Sequence, residues 1–108
     1  MKLSHTVSIT VPSTMGLNEP IVNTEYALEV AKKLAVLFGG SRIIDNIQGL
    51  YISDNGTEVI EKNSDVIAYC ETLTDEQIEA VIKIALELKS QLKQESILYS
   101  IDNIAYIE

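Results

Sequence analysis

Carboxylates are the most numerous reactive side chains of this 108-residue chain. Sixteen aspartate and glutamate residues stand against eight lysine and arginine residues, which gives a formal net charge of −8 at pH 7. Nine of the acidic residues lie between Asp45 and Glu79, where Lys62 is the single basic residue. A field of one sign repels phosphate groups and attracts basic surfaces. The composition therefore disfavours direct binding to nucleic acids.

The residues that most often perform nucleophilic or metal chemistry are scarce. His5 is the only histidine, and no group in the nearby sequence would orient it as a general base. Cys70 is the only cysteine, and its acidic neighbours Glu71 and Asp75 raise the pKa of a thiol and weaken it as a nucleophile. One histidine and one cysteine cannot form a zinc site. We therefore predict no catalytic residue, no metal and no cofactor.

The spacing of apolar residues predicts the elements that position these groups. Apolar and polar residues alternate from His5 to Val11, which is typical of a strand with one buried face. Helical spacing predicts one helix that begins at Asn23 or Thr24 and a second that begins after Thr74. The predicted strands are 5–11, 42–53, 57–61, 66–70 and 96–107. Residues 1–108 are expected to form a single domain.

The order β, α, β, β, α, β predicts an α+β fold. It matches the split βαβ, ferredoxin-like plan, with a four-stranded antiparallel sheet and two helices on one of its faces. Right-handed crossovers should place the first and third strands side by side in the middle of the sheet. We expect these two strands to be parallel.

Short motifs predict several connections. The Asn55-Gly56 pair lies between two apolar runs and predicts a hairpin turn. The polar run 63–65 interrupts the return strand and predicts a bulge or bend there. Thr74 and Gln77 form a T-x-x-Q capping box at the start of the second helix.

The tetrapeptide Ile-Asp-Asn-Ile occurs twice, at 44–47 and at 101–104. It follows a predicted helix both times. Chance in a chain rich in these residues and a two-fold pseudo-repeat account for it equally well.

Location is predicted from the absence of export signals. No stretch approaches the roughly 18 uninterrupted apolar residues of a membrane span. The first twelve residues alternate in polarity and lack the apolar block of a secretory signal. A single cysteine agrees with a reducing compartment. We expect a cytoplasmic protein.

The hairpin region carries a family resemblance. The residues concerned are Phe38, Gly40, Asp45, Gly49, Tyr51, Gly56, Glu61, Ser64, Val66, Gln94, Ser96, Ile97 and Leu98. This set resembles an uncharacterised family of small bacterial α+β domains of unknown function. The resemblance implies a fold and no catalytic residue. In size and charge alone, the chain is also similar to small acidic proteins of phages and plasmids, including anti-CRISPR proteins.

The charge and this likeness predict a non-enzymatic interaction protein. Its partner would be a basic, nucleic-acid-handling protein such as a CRISPR effector nuclease, which it would inhibit. The predicted partner-binding residues are Asp54, Glu58, Glu61, Asp65, Asp75, Glu76 and Glu79.

The alternative is a small enzyme or ligand-binding domain. Its pocket would lie where the loop 12–22 meets the uncovered face of the sheet. Ser13, Thr14, Asn18 and Glu19 would supply the polar groups of that pocket.

The last strand is more apolar than a free sheet edge usually is. Pairing of two chains would cover Tyr99, Ile101, Ile104 and Tyr106, so we predict a homodimer. Light scattering at micromolar concentration should give the mass of two chains, and the mass of one chain would contradict the prediction.

Overall fold

The computed structural model describes residues 1–108. It contains two helices, one large sheet and one small hairpin. The elements are β1 (His5–Val11), β2 (Thr14–Met15), β3 (Glu19–Pro20), α1 (Thr24–Phe38), β4 (Arg42–Ile52), β5 (Glu58–Cys70), α2 (Asp75–Gln91), β6 (Leu98–Ile101) and β7 (Ile104–Ile107). The predicted α+β class, with two helices and an antiparallel sheet, is confirmed.

The large sheet has five strands in the order β4-β5-β1-β6-β7, so the predicted count of four is wrong. The extra strand arises because Asp102 and Asn103 both adopt the left-handed conformation, with φ of 52° and 68°. Two such residues make the tight turn that joins β6 to β7 and splits the predicted last strand in two. The predicted first and third strands correspond to β1 and β5. These two strands are adjacent as expected, but they are antiparallel and not parallel.

The core lies on one face of this sheet, which we call the helix face. Val7, Ile9 and Val11 of β1 are fully buried there, together with Val66 and Ala68 of β5. Both helices cover this face with their apolar stripes. The opposite face, which we call the open face, has no helix against it.

The helix ends follow their sequence signals. Gly39 ends α1 with φ of 91°, a left-handed conformation that glycine adopts without strain. At the start of α2, the Thr74 hydroxyl accepts from the Gln77 amide and the Gln77 side chain accepts from the Thr74 amide. The predicted capping box is thus confirmed.

The predicted bulge lies on the other strand of its pair. β5 runs without interruption through 63–65, whereas the register of β4 shifts between Ile44 and Ile47. Asn46 takes φ of 58°, which asparagine tolerates better than most residues, so the extra residue sits on β4. Side chains of β5 therefore keep alternating, with Glu61 and Asn63 on the open face and Ser64 on the helix face.

The β4–β5 hairpin extends beyond the rest of the sheet. β1 pairs with residues 64–70 of β5, while residues 58–63 pair with β4 alone. We call the projecting part, 47–52 with 58–63, the arm. It helps give the molecule extents of 46 × 25 × 22 Å. None of the helices has the length and apolar character that crossing a membrane requires.

The β6–β7 turn is fastened to the start of β1 by Asp102. One carboxylate oxygen accepts from the Thr6 amide at 3.1 Å, and the other lies 2.8 Å from His5 Nδ1. The hydrogen bond with His5, and then that with Thr6, hold the pKa of Asp102 below its usual value. The unfolded chain therefore takes up a proton at higher pH than the folded chain does.

The sign of the pH dependence follows. Asp102 stabilises the fold above the ordinary carboxyl pKa of about 3.9, and this stabilisation is lost as the pH falls through the lowered value. Asp102→Asn should lower the urea midpoint at pH 7 and change it much less at about pH 2. The control is Asp54→Asn in the exposed β4–β5 turn, which should change neither. Equal losses for Asp102→Asn at both pH values would contradict this account.

Candidate functional site

A cavity of about 540 Å³ lies on the open face, beside the carboxyl end of β1. Its floor is Thr10, one wall is the arm, and the other wall includes Leu98 and Ile107 of the β6–β7 hairpin. The loop after β1 and the segment before β6 form its rim. The lining residues are Thr10, Pro12, Thr14, Gly16, Leu17, Gly49, Leu50, Tyr51, Glu61, Asn63, Gln94, Glu95, Ser96, Ile97, Leu98 and Ile107. We call it the open-face cavity.

The rim is held in place by Gln94. Its Nε2 donates to the carbonyl oxygens of Thr14 at 2.9 Å, Gly16 at 3.0 Å and Leu92 at 3.0 Å. The Gly16 amide in turn donates to the Leu92 carbonyl at 2.8 Å. The loop after β1 is therefore tied to the end of α2, and Gln94 is a positioning residue for the cavity.

The charged groups that line the cavity are both negative. Glu61 and Glu95 are carboxylates, and the lining contains no lysine, arginine or histidine. Beside Thr10 on the same face, Asp65 accepts a hydrogen bond at Oδ1 from the Thr10 hydroxyl at 2.8 Å. A cavity of this charge favours a cationic ligand and repels a phosphorylated one.

The arm contributes five of the lining residues, three of which carry polar or aromatic side chains. Gly49 is the partner of Glu61 across the hairpin, so the space beside this carboxylate holds no side chain. Asn63 borders the same space, and its Nδ2 would lie 3.6 Å from a Cβ built on Gly49. Tyr51 follows two residues along the same face, with 51% of its surface exposed. A carboxylate, an amide and an aromatic ring thus lie along one face of the arm.

The pocket predicted at the loop 12–22 exists, but the arm supplies more of it than the loop does. Thr14 lines the open-face cavity. Ser13 lines a smaller neighbouring cavity and donates its hydroxyl to the Lys62 carbonyl. Asn18 and Glu19 line neither cavity. The missed signal was the alternation of β5, which places Glu61 and Asn63 on the same face, with Glu61 opposite Gly49.

The acidic residues predicted to bind a partner lie on different sides of the molecule. Glu61 and Asp65 are on the open face, whereas Glu58 alternates to the other face of the arm. Asp54 lies in the β4–β5 turn. Asp75, Glu76 and Glu79 belong to the start of α2, on the helix face. The fold therefore divides these carboxylates, and Glu61 alone lines the open-face cavity.

A cysteine, a histidine and an aspartate also come together, which the sequence had not indicated. His5 and Cys70 are direct partners across β1 and β5, and Asp102 binds His5. A nucleophilic thiol needs a lowered pKa. Burial first, and then the charge of Asp102, raise the pKa of Cys70 instead. The arrangement keeps the thiol protonated and is a structural contact.

The residues predicted for dimerisation differ in exposure. Tyr99 is buried, its ring stacks on Tyr106 with 5.3 Å between centroids, and its hydroxyl donates to Glu108 at 2.7 Å. Burial, and then this hydrogen bond, raise the pKa of Tyr99 to about 12. Ile101 is partly buried against the core. Ile104 and Tyr106 are 58% and 41% exposed on the edge strand β7.

Solved structures with the same fold include two of phage SAM lyase. One, in complex with S-methyl-5'-thioadenosine, has a TM-score of 0.74 and 18% identity over 96% of this chain and 88% of that chain. Another, in the apo state, has a TM-score of 0.68 and 21% identity over 96% of this chain and 87% of that chain. No protein-family model and no curated protein matches the chain. The likeness shows the fold.

These structures correct the functional prediction from sequence. The prediction of a non-enzymatic inhibitor similar to anti-CRISPR proteins is contradicted, because two structures that share the fold are of phage SAM lyase and one of these holds a small ligand. The finding favours the alternative of an enzyme or ligand-binding domain. The expected small α+β domain agrees with the same structures.

Gln94 provides a test of the rim. Gln94→Leu removes the donor to three carbonyl groups and should lower the free energy of unfolding by about 1 to 3 kcal/mol. The Gly16 amide should exchange its hydrogen faster, because the loop after β1 loses its tie to α2. The control is Gln48→Leu on the exposed arm, which should leave this exchange rate unchanged. Unaltered Gly16 exchange in Gln94→Leu would show that the side chain does not hold the loop.

Proposed function

We propose that this protein binds S-adenosylmethionine (SAM) in the open-face cavity and cleaves it as a lyase, releasing S-methyl-5'-thioadenosine. The observation that carries the proposal is the common fold with a phage SAM lyase that holds this thioether, over 96% of the chain. The size, lining and charge of the cavity support it independently.

The charge of the cavity suits SAM. The substrate carries a positive sulfonium, a positive ammonium and one carboxylate, so its net charge is +1. Glu61 and Glu95 are the charged lining residues, and no cation competes for them. Phosphorylated nucleotides would meet repulsion at the same place. The electrostatics therefore separate SAM from the more common adenine ligands of the cell.

The size and lining suit a nucleoside. The volume of about 540 Å³ is within the usual range of about 300 to 1,000 Å³ for small-molecule sites. Tyr51 offers an aromatic ring, and Leu98 and Ile107 form an apolar wall opposite it. Aromatic and aliphatic side chains of this kind suit the apolar parts of a nucleoside. The missing side chain at Gly49 leaves room for a ligand to approach the sheet.

The reaction balances without a co-reactant. The bond between sulfur and Cγ of the amino-acid chain breaks, and its electron pair passes to sulfur, which becomes neutral. The carboxylate of the same substrate forms a new C–O bond at Cγ and closes a lactone. No water, proton or oxidant enters. Such a step depends on holding the substrate in a folded conformation more than on a general base.

The loss of the positive charge on sulfur during the reaction indicates which substrate group Glu61 binds. A carboxylate beside the sulfonium would stabilise the substrate more than the transition state, since the positive charge disappears there. A carboxylate beside the ammonium group stabilises both equally, because that charge does not change. We therefore assign Glu61 to the substrate ammonium, where it contributes binding.

Glu61→Gln should raise the KM for SAM about 10-fold, equivalent to about 1.4 kcal/mol, and leave kcat nearly unchanged. Release of S-methyl-5'-thioadenosine from SAM is followed by chromatography and mass spectrometry. The matched control is Glu58→Gln, which removes a carboxylate from the same strand on the opposite face. It should behave as the wild type.

One outcome would refute the proposed function, and another would refute only the role of Glu61. If the wild-type protein neither binds SAM in calorimetry nor releases the thioether, the proposed function is refuted. If it turns SAM over and Glu61→Gln has the same KM as Glu58→Gln, the function stands and the role of Glu61 does not.

We also propose that the chain forms the predicted homodimer through the free edge of the sheet. β7 has a neighbour on one side only, and Ile104 and Tyr106 are exposed along it. An apolar edge with unpaired backbone groups favours pairing with a second chain. Tyr99 supports this surface from within, through its stacking on Tyr106.

A further inference from the structure

The side chain of Asn63 is the unexplained polar group of the open-face cavity. Its Oδ1 is buried and has no hydrogen-bond partner in the protein, and it is the single buried side-chain atom of the chain in this condition. Buried polar atoms are nearly always paired, and each exception calls for an explanation. The amide therefore contributes nothing to the fold that would account for its position.

Asn63 lines the cavity, and rotation of its side chain would bring the unpaired Oδ1 to a ligand there. It follows Glu61 by two residues on the open face, so both side chains border the cavity. Its Nδ2 lies toward Gly49, where a larger residue would fill the space. Its cross-strand partner, Ile47, offers no polar side chain. The carboxylate that follows it on this face, Asp65, already accepts from the Thr10 hydroxyl.

We propose that Asn63 recognises the adenine base and sets the specificity of the cavity for adenosine over its deaminated form. An asparagine amide pairs with adenine through two hydrogen bonds, in which Oδ1 accepts from the 6-amino group and Nδ2 donates to N7. Hypoxanthine has a carbonyl at position 6, which faces Oδ1 without a proton between them. The proposal rests on the proposed function, since it assumes that an adenine ligand enters this cavity.

The division of labour within the site follows from charge. Glu61 meets the charged end of the substrate, while the neutral amide of Asn63 meets the neutral base. No protein group fixes the two ends of the amide, so the ligand selects its orientation. A site built to hydrogen-bond one substrate group rejects an analogue that leaves its polar groups unpaired.

The test compares S-methyl-5'-thioadenosine with S-methyl-5'-thioinosine, which has a carbonyl at position 6 of the base and a proton on N1 but the same N7 acceptor. Calorimetry on the wild-type protein should show that the adenosine compound binds at least about 10-fold more tightly. Asn63→Ala should weaken its binding by about the same factor and bring the two affinities to within about 3-fold of each other. Asn18→Ala is the matched control, because Asn18 does not line the open-face cavity, and it should keep the wild-type preference.

A second variant separates binding from folding. Asn63→Leu replaces the amide by an apolar group of similar shape, and its melting temperature should equal or exceed that of the wild type, because no protein hydrogen bond is lost. Its preference between the two ligands should disappear as it does in Asn63→Ala.

The outcomes distinguish this inference from the proposed function. A wild-type protein that binds the adenosine compound, with a preference that survives in Asn63→Ala and Asn63→Leu, would overturn the role of Asn63 and leave the function intact. A wild-type protein that binds neither compound would overturn both. A clear fall in melting temperature for Asn63→Leu would show that the amide serves the fold instead.

Discussion

Alternate side chains of β5 lie on opposite faces of the sheet, and both the core and the candidate site depend on this alternation. Ser64, Val66 and Ala68 are buried against the helices. Glu61 and Asn63 line the cavity on the other face. A shift of one residue would turn Glu61 and Asn63 away from the open face and bring Asp65 into the core, where an unpaired charged group is costly. The burial of the core residues therefore fixes which residues reach the site.

The irregularity of the β4–β5 pair is placed so that this alternation is preserved. The extra residue lies on β4, where Asn46 adopts a positive φ, and β5 continues unchanged. At the same place the Ser64 hydroxyl donates to the Asp45 carboxylate at 2.8 Å and accepts from the side-chain amide of Asn23 at 3.2 Å. These bonds satisfy the one buried polar residue of the core. They join β4, β5 and the start of α1 where the arm begins.

The elements that the sequence predicted well are those fixed by neighbouring residues. The capping box of α2 and the glycine that ends α1 each depend on a few adjacent positions. The two Ile-Asp-Asn-Ile tetrapeptides show where such reasoning stops. The Asp-Asn pair makes a bulge at 45–46 and a hairpin turn at 102–103. The first pair lies on β4, opposite β5, which continues without interruption. The second pair joins β6 to β7, which pair with each other. The conformation of the same two residues therefore depends on distant parts of the chain.

The candidate site could be predicted in outline only, for a related reason. The loop 12–22 is visible as a long polar segment, and its place beside the open face followed from the expected order of elements. The groups inside the cavity come from segments far apart in sequence, such as Gly49, Glu61, Gln94 and Ile107. The total charge was a poor guide, because it counts carboxylates without regard to the face on which they lie.

The negative charge of the cavity also affects the chemical step and the release of product. It attracts a cation, yet the proposed reaction converts the sulfonium into an uncharged thioether within the same walls. The attraction between the carboxylates and sulfur thus disappears as the reaction proceeds, and this change opposes the chemical step if the carboxylates lie close to sulfur. It assists the release of the neutral product by the same amount. With Glu61 at the ammonium end, the long-range attraction for the substrate is kept, and the barrier for the chemical step is not raised. The neutral amide of Asn63 holds the base, whose charge does not change during the reaction.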